Sequence, residues 1–137
     1  MKLTPEQLYN KLTKEYKIIG EKGSIKFTLK DLTITVKTKD TVGNLIQEWL
    51  VAWLNTNDID FFLKSNSQVF PDLNLDIENP EKGLVEIKSF DYDKAANFDV
   101  ANFMAYRRSI IDFPYRLDSD YLIFGYRMVD GAIEIAD

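Results

Sequence analysis

The sequence contains no cysteine and no histidine. Without thiols, disulfides, thiolate nucleophiles and zinc-thiolate sites are excluded. Without imidazole, Ser-His-Asp and Cys-His catalysis fall away, as do imidazole metal sites. No apolar run reaches the ~18 residues needed to span a bilayer. The Met1-Lys2 start leads into a polar, helix-like stretch with no evident signal peptide, so the expected location is the cytoplasm, away from membranes. Internal repeats, low-complexity tracts and obvious linkers are also lacking. Any chemistry must therefore rest on carboxylates, Lys, Arg, Tyr and hydroxyls. A ligand set of carboxylates favours hard ions such as Mg, Mn or Ca.

What is present suits a single globular domain over residues 1–137, at 45% hydrophobic and 28% charged residues. The net charge of −5 argues at first against a nucleic-acid partner. Its distribution weakens that objection. Residues 1–40 hold nine Lys and five acids, so the remaining positive and negative charges leave residues 41–137 strongly acidic. The basic end could meet phosphates while the acidic part holds metal; equally, the lysines could be a solvated surface.

Residues 4–19 read as a helix. Thr4 is the N-cap, Pro5 fits the first turn and Gln7 completes a capping box. Leu8, Leu12, Tyr16 and Ile19 lie along one stripe, and Gly20 and Gly23 end it. Ser24 to Lys39 alternate as strands, with Ile25, Phe27 and Leu29 in one run and Leu32, Ile34 and Val36 in another. Lys30-Asp31 is a tight turn between them, with Lys26, Lys30, Lys37 and Lys39 exposed. Residues 41–56 form the cleanest helix, Val42, Leu45, Ile46, Trp49, Leu50 and Trp53 making an apolar stripe with Glu48 near its edge. Ile59 to Leu63 is an apolar run without assignment. Gln68–Ile77 and Leu84–Phe90 read as two strands joined through a turn at Asn79–Gly83. A second major helix is expected over 95–111, ending before Pro114. Tyr121–Val129 reads as a buried central strand. Asp130-Gly131 signals a hairpin into a strand begun by Ile133 and Ile135. That strand stops six residues after its turn, so the domain is expected to lack its C-terminal part.

Alternation places Glu86 and Lys88 on one face of their strand and Val85 and Ile87 on the other. Asp72, Asn74 and Asp76 alternate in the same way on the neighbouring strand. Asp72 and Glu86 would together hold one or two Mg ions, with the backbone carbonyl of Ile87 as a further ligand. Asp76 is the rival for Asp72. Such a metal polarises a phosphate and lowers the pKa of a bound water. Lys88 would donate to the phosphate and orient the water or help deprotonate it, and Glu48 is a candidate extra ligand or water holder. The plain alternative is a weak Glu86–Lys88 surface pair beside a bend at Pro71-Asp72.

The run Phe70-Pro71-Asp72 followed by Glu86-Ile87-Lys88 resembles the PD-(D/E)XK nuclease motif, and Thr41 to Leu50 resembles the helix that carries an additional Glu in many type II restriction endonucleases. Gly20 to Trp53, Lys88-Ser89-Phe90 and Asn102 to Arg108 look most like the NgoBV/NlaIV group of those enzymes. The resemblance implies an α/β (α+β) restriction-endonuclease-like core, a mixed central β-sheet flanked by helices. It implies Mg-dependent (or Mn-dependent) cleavage of double-stranded DNA at a short palindrome by a homodimer, with GGNNCC as the implied target. It selects Asp72 over Asp76 because Asp72 follows Pro71. Candidate DNA contacts are Lys37, Lys39, Ser89, Lys94, Arg107 and Arg108, with Asp91, Tyr92 and Asp93 close to the bound duplex. A repair or structure-specific nuclease of the same fold, or a catalytically silent DNA-binding or assembly module, is the alternative.

Overall fold

The structure is a computed structural model and describes residues 1–38, 40–63, 71–94, 111–112 and 114–137. It opens with helix α1, Pro5–Asn10. Thr4 Oγ1 accepts from Gln7 N at 3.2 Å, and Gln7 Oε1 accepts from Thr4 N at 2.9 Å, so the capping box forms as its sequence requires. The helix then widens into a π-helical turn, Lys11–Glu15, closed by Tyr16 N donating to Lys11 O at 2.8 Å. The wide turn and a left-handed Lys17 (φ 56°) change the phase of the apolar stripe. Ile18 is buried as a result, while Ile19, expected on the stripe, is half exposed.

Among the described residues eight strands follow: β1 Lys22–Ser24, β2 Lys26–Leu29, β3 Leu32–Thr35, β4 Phe62–Leu63, β5 Leu73–Asn74, β6 Leu84–Asp91, β7 Asp120–Val129 and β8 Ala132–Ile135. Helix α2, Val42–Thr56, lies between β3 and β4. The main sheet has the order β1-β8-β7-β6-β5-β4. Its pairs are antiparallel except β6–β7, which run parallel from Val85↔Asp120 to Asp91↔Tyr126. A parallel pair needs a crossover connection. The helix expected over 95–111 falls within it and, but for its last residue, lies outside the described residues.

The core explains where the site can stand. Leu8 and Leu12 of the first helix join Val42, Ile46, Leu50 and Leu54 of α2 in one cluster with Val85, Ile87 and Phe124. Both helices thus cover the Val85/Ile87 face of β6. Glu86 and Lys88 alternate onto the opposite face. The expected fold class stands: a mixed sheet with flanking helices.

Two expectations need correction. The strand placed at 68–77 is in a ladder only at Leu73–Asn74, with residues 64–70 outside the description. Beyond Asn74 the side chains turn the backbone, because Asn74 Oδ1 accepts from Asp76 N (2.8 Å) and Asp76 Oδ1 from Glu78 N (3.1 Å). β7 is central in the sheet but not buried on both faces: Phe124 is buried, whereas Tyr121, Ile123 and Val129 are exposed. The hairpin β2–β3 turns at Lys30 as expected (φ 57°), yet it forms a sheet of its own. Its register pairs Phe27 with Ile34 and Leu29 with Leu32, so one apolar face is left exposed.

A cavity-forming change separates core from hairpin. Leu50 is 0% exposed and Leu29 70%. Leu50→Ala is expected to lower unfolding free energy in urea by about 2–5 kcal/mol. Leu29→Ala is expected to change it by no more than about 0.5 kcal/mol.

Candidate active site

The site begins where a strand stops short. β6 pairs with β5 only through Leu84 and Val85, although it continues alongside β7 as far as Asp91. On the β5 side the next inward N–H of β6 belongs to Ile87. Among the described residues no strand reaches it, and a buried N–H without a partner is costly. The Asp72 side chain takes the strand's place: Ile87 N donates to Asp72 Oδ2 at 2.7 Å. Pro71, fully buried just before it, has no N–H to offer a ladder and so marks the place where β5 pairing gives way.

The contact is returned. Asp72 N donates to Glu86 Oε2 at 3.1 Å, and Lys88 Nζ stands 3.0 Å from Glu86 Oε1. From the helical side, Gln47 Nε2 of α2 lies 3.5 Å from Asp72 Oδ1. In an extended strand the N–H and C=O of one residue point to the same side. The Ile87 carbonyl therefore faces the Asp72 side as well. Asp72, Glu86, Lys88 and Ile87, the four expected together, are brought together.

Burial dominates the electrostatics. Glu86 is only 7% exposed. Its carboxyl is pushed up to about 7, first by burial and then by the charge of Asp72, against the pull of Lys88. Asp72 is raised as well, again by burial first, with the Ile87 N–H and Lys88 opposing. Two carboxylates in a poorly solvated corner, with one ammonium between them and solvent, form an environment that favours a further cation. Among the described residues no group of three or more metal-ligating side chains gathers. The donor set that fits is two carboxylates and one carbonyl, all oxygen, which suits a hard divalent ion that keeps water or phosphate as its other ligands.

Residues 2–137 match the sequence profile of the family described as NgoBV restriction endonuclease. The chain belongs to that family. It is 46% identical over its whole length to the type II restriction enzyme NlaIV of Neisseria lactamica, covering 57% of that protein. It is 42% identical over 106 residues, 77% of this chain and 61% of the relative, to the type II restriction enzyme NgoBV of Neisseria gonorrhoeae. The solved NlaIV restriction endonuclease superposes on the whole chain with a TM-score of 0.90 at 46% identity, and 56% of that protein is covered. The chain thus spans somewhat over half the length of these members of the family.

Other residues expected at the site fall elsewhere. Glu48 is exposed, and Gln47 is the residue of α2 that reaches Asp72. Around the helix, Gln47 stands about 60° from buried Leu50 and Glu48 about 160°, so only Gln47 can face the sheet edge. Asp76 is a turn residue, its Oδ2 3.0 Å from Lys2 Nζ and its Oδ1 accepting from Glu78 N and Asn79 N. Ser89 sits on the α2 face of β6, its Oγ against Gly43. Asp93 accepts from Arg127 Nε at 2.9 Å, and that guanidinium lies 5.1 Å from the Tyr92 ring centre. Lys94 is exposed in the turn after β6. Lys37 lies beside Gly131 in the β7–β8 turn, roughly 20 Å along β7 from the position that pairs with Lys88. Lys39, Arg107 and Arg108 lie outside the described residues. Gln47 and Arg127 were missed by sequence reasoning. The angular position of Gln47 was a usable signal for the first; nothing in the sequence links Arg127 to Asp93.

If Asp72 replaces a strand partner, its acceptor matters more to the fold than its charge. In EDTA, Asp72→Asn is expected to unfold at or above the parent's temperature, because an amide oxygen still accepts from Ile87 N and a buried charge is gone. Asp72→Ala is expected to fold but to lose about 1–3 kcal/mol, the cost of an unsatisfied N–H. Equal losses in the two variants by thermal unfolding would remove the Ile87 N–H from the explanation.

Proposed function

We propose that this chain carries the catalytic core of a type II restriction endonuclease, hydrolysing phosphodiester bonds of double-stranded DNA with Mg as its ion and Mn as a substitute. The observation that carries the reading is the reciprocal pair at the end of β5. Asp72 accepts from the backbone of the Glu86-Ile87-Lys88 strand, and Glu86 accepts from the backbone of Asp72. Asp72, Glu86 and the Ile87 carbonyl hold the ion. When bound, such an ion polarises the scissile phosphate and lowers the pKa of a water in its shell.

The chain's own groups do the rest. The pair of carboxylates fixes the position of the reacting phosphate relative to β6. Lys88 is the partly exposed cation of the site: its side chain is 30% exposed while its ammonium rests on Glu86 Oε1. It is therefore available to a phosphate oxygen, where it balances charge and orients the attacking water. Its compact ammonium on a flexible stem suits that exchange better than a fixed guanidinium would. The proposal extends to a short palindromic target, GGNNCC by the family resemblance, to a homodimer acting on both strands, to a single nuclease domain over 1–137 and to a cytoplasmic location.

Plasmid DNA carrying GGNNCC sites, incubated with the chain and Mg, is expected to give discrete fragments. Nicking or smearing would favour a structure-specific nuclease, and binding without cleavage a silent DNA-binding module. Asp72→Ala and Lys88→Ala are each expected to reduce cleavage at least about a hundredfold. Calcium is expected to support binding without cleavage, being larger and less demanding in geometry. Normal cutting by either variant, or efficient cutting in calcium, contradicts the assignment.

A further inference from the structure

Helix α2 touches the catalytic strand at an unusually small separation. A Cβ built on Gly43 would lie 2.8 Å from Ser89 Oγ. A side chain at position 43 would therefore require Ser89 Oγ to shift for the first turn of the helix to keep its place against β6. Gly43 and Gln47 are one turn apart on the same side of the helix. The close approach at Gly43 carries the next turn to the sheet edge, where Gln47 Nε2 meets Asp72 Oδ1 at 3.5 Å. The other carboxylate oxygen, Oδ2, is held by Ile87 N at 2.7 Å. Asp72 is thus held on Oδ2 by the sheet backbone and approached on Oδ1 by the helix.

We propose that Gln47 is a positioning residue for Asp72: its amide fixes the plane of the carboxylate so that Oδ1 is presented to a divalent ion. This rests on the reading of Asp72 and Glu86 as the ion-holding pair. The separation is at the long end of the hydrogen-bond range, so the Ile87 N–H is the anchor and the amide the guide. A neutral amide performs this task where a carboxylate would not. It has an N–H to give to Asp72, and it adds no third negative charge to two carboxylates already crowded together. Removing a group that orients a ligand in this way typically weakens metal affinity about ten- to a hundredfold.

The test is calorimetric titration of the full chain with Mn²⁺ alone, beside thermal unfolding in EDTA. Gln47→Met keeps the volume and removes the amide. It is expected to unfold within about 2 °C of the parent and to bind Mn²⁺ about ten- to a hundredfold more weakly. Gln47→Glu keeps the shape and replaces the donor by a like charge. It is expected to unfold at a lower temperature than the parent in EDTA and to recover that loss when Mn²⁺ is added. Parent-like Mn²⁺ affinity in Gln47→Met, or no change of EDTA stability in Gln47→Glu, overturns the proposal. Asp72→Asn separates it from the reading beneath it. If Asp72→Asn binds Mn²⁺ as the parent does, the ion-holding pair itself is wrong. If Asp72→Asn loses Mn²⁺ while Gln47→Met retains it, only the role of Gln47 fails.

Discussion

The site depends on one hydrogen bond, from Ile87 N to Asp72 Oδ2 at 2.7 Å. Pairing with β5 stops at Val85 while β6 runs on to Asp91, which would leave the inward N–H of Ile87 with no strand partner. Closing that gap with a carboxylate instead of another strand has two effects. The backbone is satisfied, and a charge is fixed in the plane of the sheet beside the Glu86 side chain. Glu86 answers by accepting from Asp72 N, so each acid is held by the other's strand. Burial and mutual repulsion then keep Glu86 protonatable near neutrality, and Lys88 tempers this without cancelling it. The fold-stabilising contact and the crowded carboxylate pair are the same few atoms.

The surroundings serve that arrangement. Helix α2 packs its Val42, Ile46, Leu50 and Leu54 stripe against Val85 and Ile87, which fixes β6 from behind. Gly43 lets the helix approach closely enough for a side chain of its next turn to reach the sheet edge. Further along β6, Tyr92 and Asp93 are tied to Arg127 of β7, which stiffens the exit of the strand. The basic hairpin β2–β3 stands apart, with Phe27, Leu29, Leu32 and Ile34 exposed on one face. It pairs with no strand of the main sheet among the described residues.

Much of this was legible in residue order because it follows from period. The capping box at Thr4–Gln7, the alternation of β6 and the 3.6-residue stripe of α2 follow the sequence pattern, except that Trp49 of the stripe is exposed. The Asp130-Gly131 turn has positive φ at both residues, 50° and 79°, as its tight hairpin geometry requires. The pairing of Asp72 with Glu86 and Lys88 was reached through a short motif, and the three side chains do lie in mutual contact. What stayed hidden was of three kinds. The π-helical turn after Asn10 changes a phase that a regular helix would keep, so Ile18 replaced Ile19 in the core. The partner of Asp72 is a backbone N–H, which carries no residue name to read. And the choice of Gln47 over Glu48 depends on helix rotation relative to a sheet edge, while an acid-seeking search favours the carboxylate. The isolation of the β2–β3 hairpin was hidden for a related reason: alternation predicts a two-faced strand, not what covers either face.

The central claim is that Asp72, Glu86 and the Ile87 carbonyl converge on one cation. Crystals soaked in MnCl₂ and measured at a wavelength where manganese scatters anomalously test it without reference to activity. The account expects a strong anomalous peak at ligand distance, about 2.0–2.6 Å, from Asp72 Oδ1, a Glu86 oxygen and Ile87 O. A peak at Asp76 with none at Asp72 and Glu86, or no peak on the chain at all, would contradict it.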